Sequence, residues 1–198
     1  GVVSNGVASC NGGGAATWCT DNTTYTNALN KEGDTGNSNC TSTTFIQGTD
    51  RCGLAAFSVA TYNGSIYVMG GFDGNSPKSS IWKATPSAST GAAGAWTIQA
   101  GALVDGSNAV ATNTFSGAIA QGGYIYVFGG CVAASPNIGC STYRSAVQRC
   151  VIDSSGNIVA NLGTTAGCSS TNQLQLNNGQ ALFGIAYYSG FIYLIGGA

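Results

Sequence analysis

The most chemically informative feature of this sequence is that it contains eight cysteines and no histidine. Zinc sites use cysteine with histidine or closely spaced Cys-x-x-Cys pairs, and the sequence contains neither arrangement. Disulfide bonds are therefore the expected chemistry, with free structural thiols as the alternative. Eight cysteines allow 105 pairings, of which local pairing is favoured: Cys10 with Cys19, Cys40 with Cys52, Cys131 with Cys140, and Cys150 with Cys168. Each closure would contribute about 2 to 3 kcal/mol, and disulfides imply an extracytoplasmic location.

The remaining reactive side chains give little support to catalysis. Without histidine, a Ser-His-Asp triad, a Cys-His pair and a histidine-coordinated copper centre are all excluded. Two carboxylates could still hydrolyse a glycosidic bond, but the pattern does not single out two of the acidic residues. These are Asp21, Glu32, Asp34, Asp50, Asp73, Asp105 and Asp153. We therefore expect a protein that is not an enzyme and that uses no cofactor or metal.

Two loop segments carry oxygen atoms of the kind that calcium binds. One contains Asp34 with Asn37 and Asn39, and the other contains Asp153 with Asn157. Neither segment has the number of carboxylates found in an EF-hand loop. An Asx turn is the favoured interpretation of both.

Three Asn-x-Ser/Thr sequons, at Asn22, Asn39 and Asn63, are candidate glycosylation sites. Chance sequons are expected in a chain so rich in Asn, Ser and Thr. Asn63 also suits the tip of a hairpin, which accounts for its presence without a glycan.

Three copies of one small hairpin supply the framework that positions these side chains. They span Phe57 to Gly71, Phe115 to Gly130, and Phe183 to Gly197. Their turn residues are Asn63-Gly64, Gly122-Gly123 and Ser189-Gly190, which suit the positive φ of a two-residue loop. The second strand of each copy is apolar on both faces, so each sheet must be covered on both sides. Radial stacking of small antiparallel sheets, a β-propeller, satisfies this requirement.

A second hairpin-like stretch follows the first two copies, which makes four strands per unit. Ser80 to Ala84 and Gly94 to Ile98 form the first such stretch. The second comprises strands at Ala146 to Ile152 and Ile158 to Leu162, joined by the turn 153–157.

These units resemble repeats of the kelch family over about residues 54 to 198. An apolar strand with tyrosine closes on Gly-Gly, and Trp96 lies on the fourth strand, where Leu162 replaces it in the second repeat. The Gly-Gly pairs are 59 and 67 residues apart, longer than the roughly 50 residues of a kelch repeat. The resemblance implies an all-β protein with kelch-like propeller blades of four antiparallel strands. We expect the recurrent Tyr67, Tyr126 and Tyr193 to lie in the core between blades.

The repeats divide the chain into four parts. We call the first hairpin of a blade its inner hairpin and the second its outer hairpin. We expect residues 1–53 to form an outer hairpin and a long disulfide-bonded loop, and residues 54–114 and 115–181 to form one blade each. Residues 182–198 are expected to form the inner hairpin of a further blade. Since 43% of the residues are hydrophobic, we expect a packed core.

The composition also argues against two kinds of partner, namely nucleic acid and a membrane that the chain would span. Only 7% of the residues are charged and the net charge is −1, so a basic patch for nucleic acid is not expected. No apolar run approaches the roughly 20 residues that span a bilayer.

The third repeat has an inner hairpin without an outer one, whereas residues 1–19 resemble an outer hairpin. Closed propellers have about four to eight blades. The two complete units and the two single hairpins of this sequence together amount to only three blades. We therefore expect either a fragment of a longer propeller or copies that complete one another's blades. The expected assembly edge comprises Phe191, Ile192, Tyr193, Leu194 and Ile195, with Val2, Val3 and Trp18 on the complementary side.

The leading functional hypothesis is an extracellular or cell-surface structural or adhesive propeller, whose partners are other copies of itself in an oligomer or filament. The low net charge removes long-range repulsion between copies. The alternative is a fragment of a secreted kelch-type propeller that binds or processes extracellular glycans, or that binds a surface protein. Particle size and glycan binding distinguish the two hypotheses.

Overall fold

A computed structural model of the chain describes residues 54–72, 77–89, 96–133, 139–160 and 167–198. Every regular element in these ranges is a β-strand. The all-β prediction is thus confirmed. Across the same residues, no helix is long and apolar enough to span a bilayer.

The first blade is a four-stranded antiparallel sheet with its strands in sequence order. It contains β1 (Ser58–Tyr62), β2 (Ser65–Met69), β3 (Ser80–Ala84) and β4 (Thr97–Ala102). Asn63 and Gly64 join β1 to β2 with φ values of 46° and 75°. The predicted tight turn is therefore present, because Asn and Gly tolerate this left-handed backbone.

The second blade also has four antiparallel strands, in the order β10-β9-β6-β5. They are β5 (Gly117–Gln121), β6 (Tyr124–Phe128), β9 (Ala146–Val151) and β10 (Cys168–Gln175). A separate two-stranded sheet of β7 (Cys131–Ala133) and β8 (Cys140–Tyr143) lies between β6 and β9 in the chain. The sequence pattern did not predict this additional hairpin.

The predicted fourth strand of this blade, Ile158 to Leu162, is wrong. Ile158 forms only an isolated bridge with Ile152, and β10 takes the fourth place instead. The strand β10 is polar and has no alternation of apolar residues, so hydrophobic periodicity could not reveal it. Its position is fixed by the disulfide between Cys150 and Cys168, which are directly paired residues of β9 and β10.

The third unit is a two-stranded antiparallel sheet of β11 (Phe183–Tyr188) and β12 (Phe191–Gly196). The first strands of the three units lie side by side, with β5 in contact with both β1 and β11. The described residues thus form an open arc of two blades and one inner hairpin. The structure shows kelch-like blades in an incomplete propeller, as predicted.

Most of the core lies between the first two blades. Tyr67, Met69 and Ile81 of the first blade pack in one cluster with Ile125 and Val127 of the second, and all five are fully buried. Since each blade contributes one face to such a junction, strands that are apolar on both faces are required.

The same backbone arrangement closes each inner hairpin. A residue just before the first strand and a residue at or just after the closing Gly-Gly exchange two main-chain hydrogen bonds of 2.8 to 3.1 Å. These pairs are Ala55 with Phe72, Thr114 with Cys131, and Ala181 with Ala198. The next residue has a positive φ in every copy, at Ala56 (54°), Phe115 (55°) and Leu182 (62°).

Two disulfides are present in the described residues, Cys131–Cys140 and Cys150–Cys168. Both follow the expected local pairing. The first connects β7 to β8, and the second connects β9 to β10 at the buried outer part of the blade. Cys10, Cys19, Cys40 and Cys52 lie outside the described residues.

Candidate assembly surface

The two faces of each inner hairpin point to different neighbours. Side chains alternate along a strand, and directly paired residues of an antiparallel sheet share a face. In β2, Tyr67 and Met69 face the second blade, whereas Val68 faces the opposite side of the first blade. The equivalent residues of β6 are Tyr126, Phe128 and Val127 in that order, by alignment of the repeats.

The third hairpin exposes the face that the first blade buries. We call this surface the outer face and define it by four large side chains, with their exposed fractions: Tyr188 (73%), Phe191 (65%), Tyr193 (46%) and Ile195 (65%). Their counterparts Tyr67 and Met69 are inaccessible to solvent because the second blade covers them. The outer face is therefore an apolar surface of the type that a following blade normally covers.

The expected assembly edge is divided between two faces. Phe191, Tyr193 and Ile195 lie on the outer face, whereas Ile192 and Leu194 lie on the opposite face, which is turned toward the second blade. The sequence-based proposal treated all five as one edge and so ignored the two-residue period of a strand. Tyr193, which we expected in the core between blades, is nearly half exposed.

The main chain of β12 also lacks a neighbour on one side within the described part of the chain. The equivalent strands β2 and β6 each pair with two strands, namely β1 and β3 for β2, and β5 and β9 for β6. In contrast, β12 pairs with β11 alone among the described strands. With respect to these strands, the peptide groups on its other side are unpaired and can accept a further strand.

The other end of the arc exposes a face of complementary type. Val59 and Ile98 of the first blade are exposed there, and Trp82 beside them is half buried. In the second blade the corresponding face includes Ile125 and Val127, which are fully buried against the first blade. The two ends of the arc thus carry the two halves of a blade-to-blade contact.

A polar contact accompanies the apolar packing between the first and second blades. The Tyr67 hydroxyl donates a hydrogen bond to the Gly156 carbonyl at 2.6 Å. The Lys83 ammonium donates to the Ser155 carbonyl at 3.0 Å and to Asn157 Oδ1 at 3.1 Å. Because all three acceptors belong to the turn between Ile152 and Ile158, we call this turn the outer turn of the second blade.

Asp153 shapes the outer turn. Its Oδ1 accepts hydrogen bonds from the main-chain N–H groups of Ser155 and Asn157, at 2.9 and 2.8 Å. This is the Asx turn that the sequence favoured over a calcium loop. Asp105 forms a similar turn, and the hydrogen bond from the Ser107 hydroxyl lowers the pKa of the Asp105 carboxyl. Among the described residues, no group of three or more acidic, Cys or His side chains could hold a metal ion.

Sequence reasoning missed two buried amides that bind main-chain groups between repeats. Gln148 Oε1 accepts a hydrogen bond from the Val104 N–H at 2.7 Å, and Asn113 Nδ2 donates to the Gly129 carbonyl at 2.9 Å. Each is a single amide side chain with no distinctive residues beside it in the sequence, which is too common a pattern to be specific.

The remaining candidate residues fall into two groups. Asn63 lies at an exposed hairpin tip with a φ of 46°, so its turn role is present and its side chain is accessible. The others lie outside the described residues: Asn22, Asn39, Val2, Val3 and Trp18.

Removal of the Tyr67 hydroxyl should destabilise the protein in a pH-dependent way. We expect Tyr67→Phe to lower the free energy of unfolding by about 1 kcal/mol at neutral pH, since one neutral hydrogen bond is lost. Burial raises the pKa of Tyr67 above its ordinary value of 10.0. The unfolded chain therefore ionises first, and this stabilising contribution decreases as the pH rises above about 10.

Urea unfolding on both sides of pH 10 measures this effect. The difference in the free energy of unfolding between the parent and Tyr67→Phe should be smaller at the higher pH. Tyr193→Phe is the matched control, because this tyrosine is at the equivalent position but is exposed. Equal effects of the two substitutions would contradict the assignment.

Comparisons with known proteins agree with this architecture. The Kelch motif family matches residues 53–83, which include β1, β2 and all but the last residue of β3. A solved structure, described as "Structure of YjhT", is similar with a TM-score of 0.51 and 11% sequence identity. The match covers 73% of this chain and 39% of that chain, so this chain spans well under half the length of YjhT. No curated protein matches the sequence. The fold is therefore that of a kelch-type β-propeller, on the combined basis of the motif and the four-stranded blades.

Proposed function

We propose that this chain is an extracellular structural or adhesive protein that assembles head to tail with further copies of itself. In this proposal, each copy completes the third blade of its neighbour. The first blade of the second copy then stacks on the outer face, as the second blade stacks on the first within one chain. Contacts between two different surfaces of this kind generate rings or open filaments.

The exposed outer face is the observation that carries this proposal. Covering Phe191 and Ile195 alone would contribute about 1.5 to 3 kcal/mol per side chain. The opposite end of the arc has the matching face around Val59 and Ile98. With a net charge of −1, the chain has little long-range repulsion to oppose association.

The disulfides support the extracellular part of the proposal. Cys131–Cys140 and Cys150–Cys168 would not persist in a reducing cytoplasm.

The proposed role is not catalytic. The sequence has no histidine to act as a general base. In the described residues, the carboxylates of Asp105 and Asp153 accept hydrogen bonds within their own turns and lie on separate loops. A structural role uses the exposed surfaces without requiring a reactive centre.

Sedimentation velocity of the oxidised full chain over a range of concentrations tests the proposal. We expect the sedimenting mass to rise with concentration from the 19.8 kDa of one chain to at least twice that value. The single-chain mass at every concentration would overturn the proposal. Electron microscopy of the larger species would then distinguish rings from filaments.

Glycan binding is the second candidate function, and the exposed aromatic residues favour it. Tyr188, Phe191 and Tyr193 form an accessible aromatic surface, and such rings can stack on the apolar face of a sugar. A monomeric chain that binds members of a glycan array, and that loses this binding on Tyr193→Ala substitution, would replace self-assembly as the conclusion.

A further inference from the structure

The second blade has side chains equivalent to the two hydrogen-bond donors with which the first blade binds the outer turn. In the first blade, Tyr67 of β2 is paired with Lys83 of β3. In the second blade, Tyr126 of β6 is paired in the same register with Arg149 of β9. A tyrosine hydroxyl and a cationic side chain thus lie side by side on the equivalent face of each blade.

The first pair has an acceptor, whereas the second has no acceptor in the described part of the chain. Tyr67 is fully buried and Lys83 half buried, because the outer turn of the next blade lies on them. Tyr126 is only half buried and Arg149 is exposed. The Arg149 guanidinium lies over the Tyr124 ring, 4.8 Å from its centroid, which holds the cation beside Tyr126.

We propose that Tyr126 and Arg149 bind the outer turn of the hairpin that completes the third blade, and that this hairpin is residues 1–19 of a second copy. The inference rests on the proposed self-assembly and identifies its polar contact. We call Tyr126 and Arg149 the receptor pair.

The chemistry of the receptor pair defines what it binds. A guanidinium has only donors, and a tyrosine hydroxyl in this position donates as Tyr67 does. The ligand must therefore present acceptors, which in the observed contact are two main-chain carbonyls and one asparagine Oδ1. An Asx-Gly turn supplies both kinds of acceptor.

The amino-terminal segment contains a stretch of sequence with this composition. Asn11 to Gly14 reads Asn-Gly-Gly-Gly and lies between Cys10 and Cys19. The outer turn of the second blade likewise contains glycine and asparagine and lies between Cys150 and Cys168. Asn11 is the residue that we place opposite Arg149.

The first experiment compares substitutions at equivalent positions of the two blades. We expect Tyr126→Phe to raise the dissociation constant of self-association roughly fivefold without changing the thermal stability of the single chain. Arg149→Glu should raise this constant at least about tenfold, with only the small loss of stability that follows from removing the Arg149 contact with the Tyr124 ring. Tyr67→Phe and Lys83→Glu are the matched controls, because their acceptor lies within the same chain. These controls should lower thermal stability more than they change association.

Each result that differs from these expectations identifies which proposal is wrong. If the parent stays a single chain, both the self-assembly and the receptor pair of a second copy are overturned. If the parent assembles but Tyr126→Phe and Arg149→Glu assemble equally well, the receptor pair is wrong while self-assembly stands. If Tyr126→Phe destabilises the single chain as Tyr67→Phe does, the turn comes from the same chain, and the proposal of a second copy is overturned.

A charge-exchange experiment identifies the donor segment. Arg149→Glu and Asn11→Lys should each weaken association when alone, and mixing the two variants should restore it, because the new glutamate meets the new lysine across copies. Restoration only in the double variant, and not in the mixture, would show contact within one chain. If neither the mixture nor the double variant restores association, residues 1–19 are excluded as the segment that binds the receptor pair.

Discussion

Gly129→Ala is expected to lower the free energy of unfolding by about 3 kcal/mol, through left-handed strain and overpacking together. Gly129 has a φ of 53°, which costs an alanine about 1 kcal/mol. In addition, a Cβ at this position would overlap the Gln180 carbonyl oxygen and press on Leu176. The Gln180 carbonyl cannot retreat easily, since it accepts the Gly130 N–H while the Gln180 N–H donates to the Arg144 carbonyl.

Gly122→Ala is the control that separates the two causes. Gly122 has a similar φ of 60°, but no atom lies within 4 Å of the position of an added Cβ. For a chain of this size, we expect melting temperatures lower by roughly 6 to 12 °C for Gly129→Ala and 2 to 4 °C for Gly122→Ala. Calorimetry measures both values, and equal losses would show that Gly129 is not in tight contact with its neighbours.

Aspartate on the outer face is expected to abolish self-association while the fold is retained. Phe191→Asp and Ile195→Asp each remove an exposed apolar side chain and place a charge where the proposed contact excludes water. The loss of about 1.5 to 3 kcal/mol for each site corresponds to a dissociation constant roughly ten- to a hundredfold higher. The double variant should sediment as a single chain with an unchanged melting temperature, because both residues are exposed.

Ser189→Asp is the matched control for charge. It adds the same carboxylate to the same hairpin, but at the exposed turn between β11 and β12. We expect this variant to assemble like the parent. Assembly of the Phe191→Asp and Ile195→Asp double variant at parental affinity would exclude the outer face as an interface.

The inner hairpins could be predicted because local rules determine them. Asn63-Gly64, Gly122-Gly123 and Ser189-Gly190 require positive φ, and strands apolar on both faces require cover on both sides. The fourth strand of the second blade followed no such local rule. A polar strand held by a disulfide between Cys150 and Cys168 depends on a contact across 18 residues of sequence, which periodicity does not reveal.

The location of the exposed third hairpin could be predicted from the sequence, but the orientation of its side chains could not. A third hairpin without a following pair of strands in the described residues follows from counting repeats. The division of Phe191 and Ile192 between opposite faces follows only from the register of β11 with β12. The contacts of Tyr67 and Lys83 with the outer turn were also inaccessible to sequence analysis. They join residues 72 to 89 positions apart, and no local pattern marks such pairs.

The positive φ shared by Ala56, Phe115 and Leu182 has a consequence for how such a protein diversifies. Three unrelated side chains adopt one left-handed backbone, so the hydrogen-bonded frame of the hairpin, and not a preference of the residue itself, holds this conformation. Duplicated blades can then drift apart in sequence without losing their fold, and an insertion such as β7 with β8 is accepted just beyond the frame. The Kelch motif match at residues 53–83 lies within one blade, as expected when the copies have diverged in residues faster than in backbone.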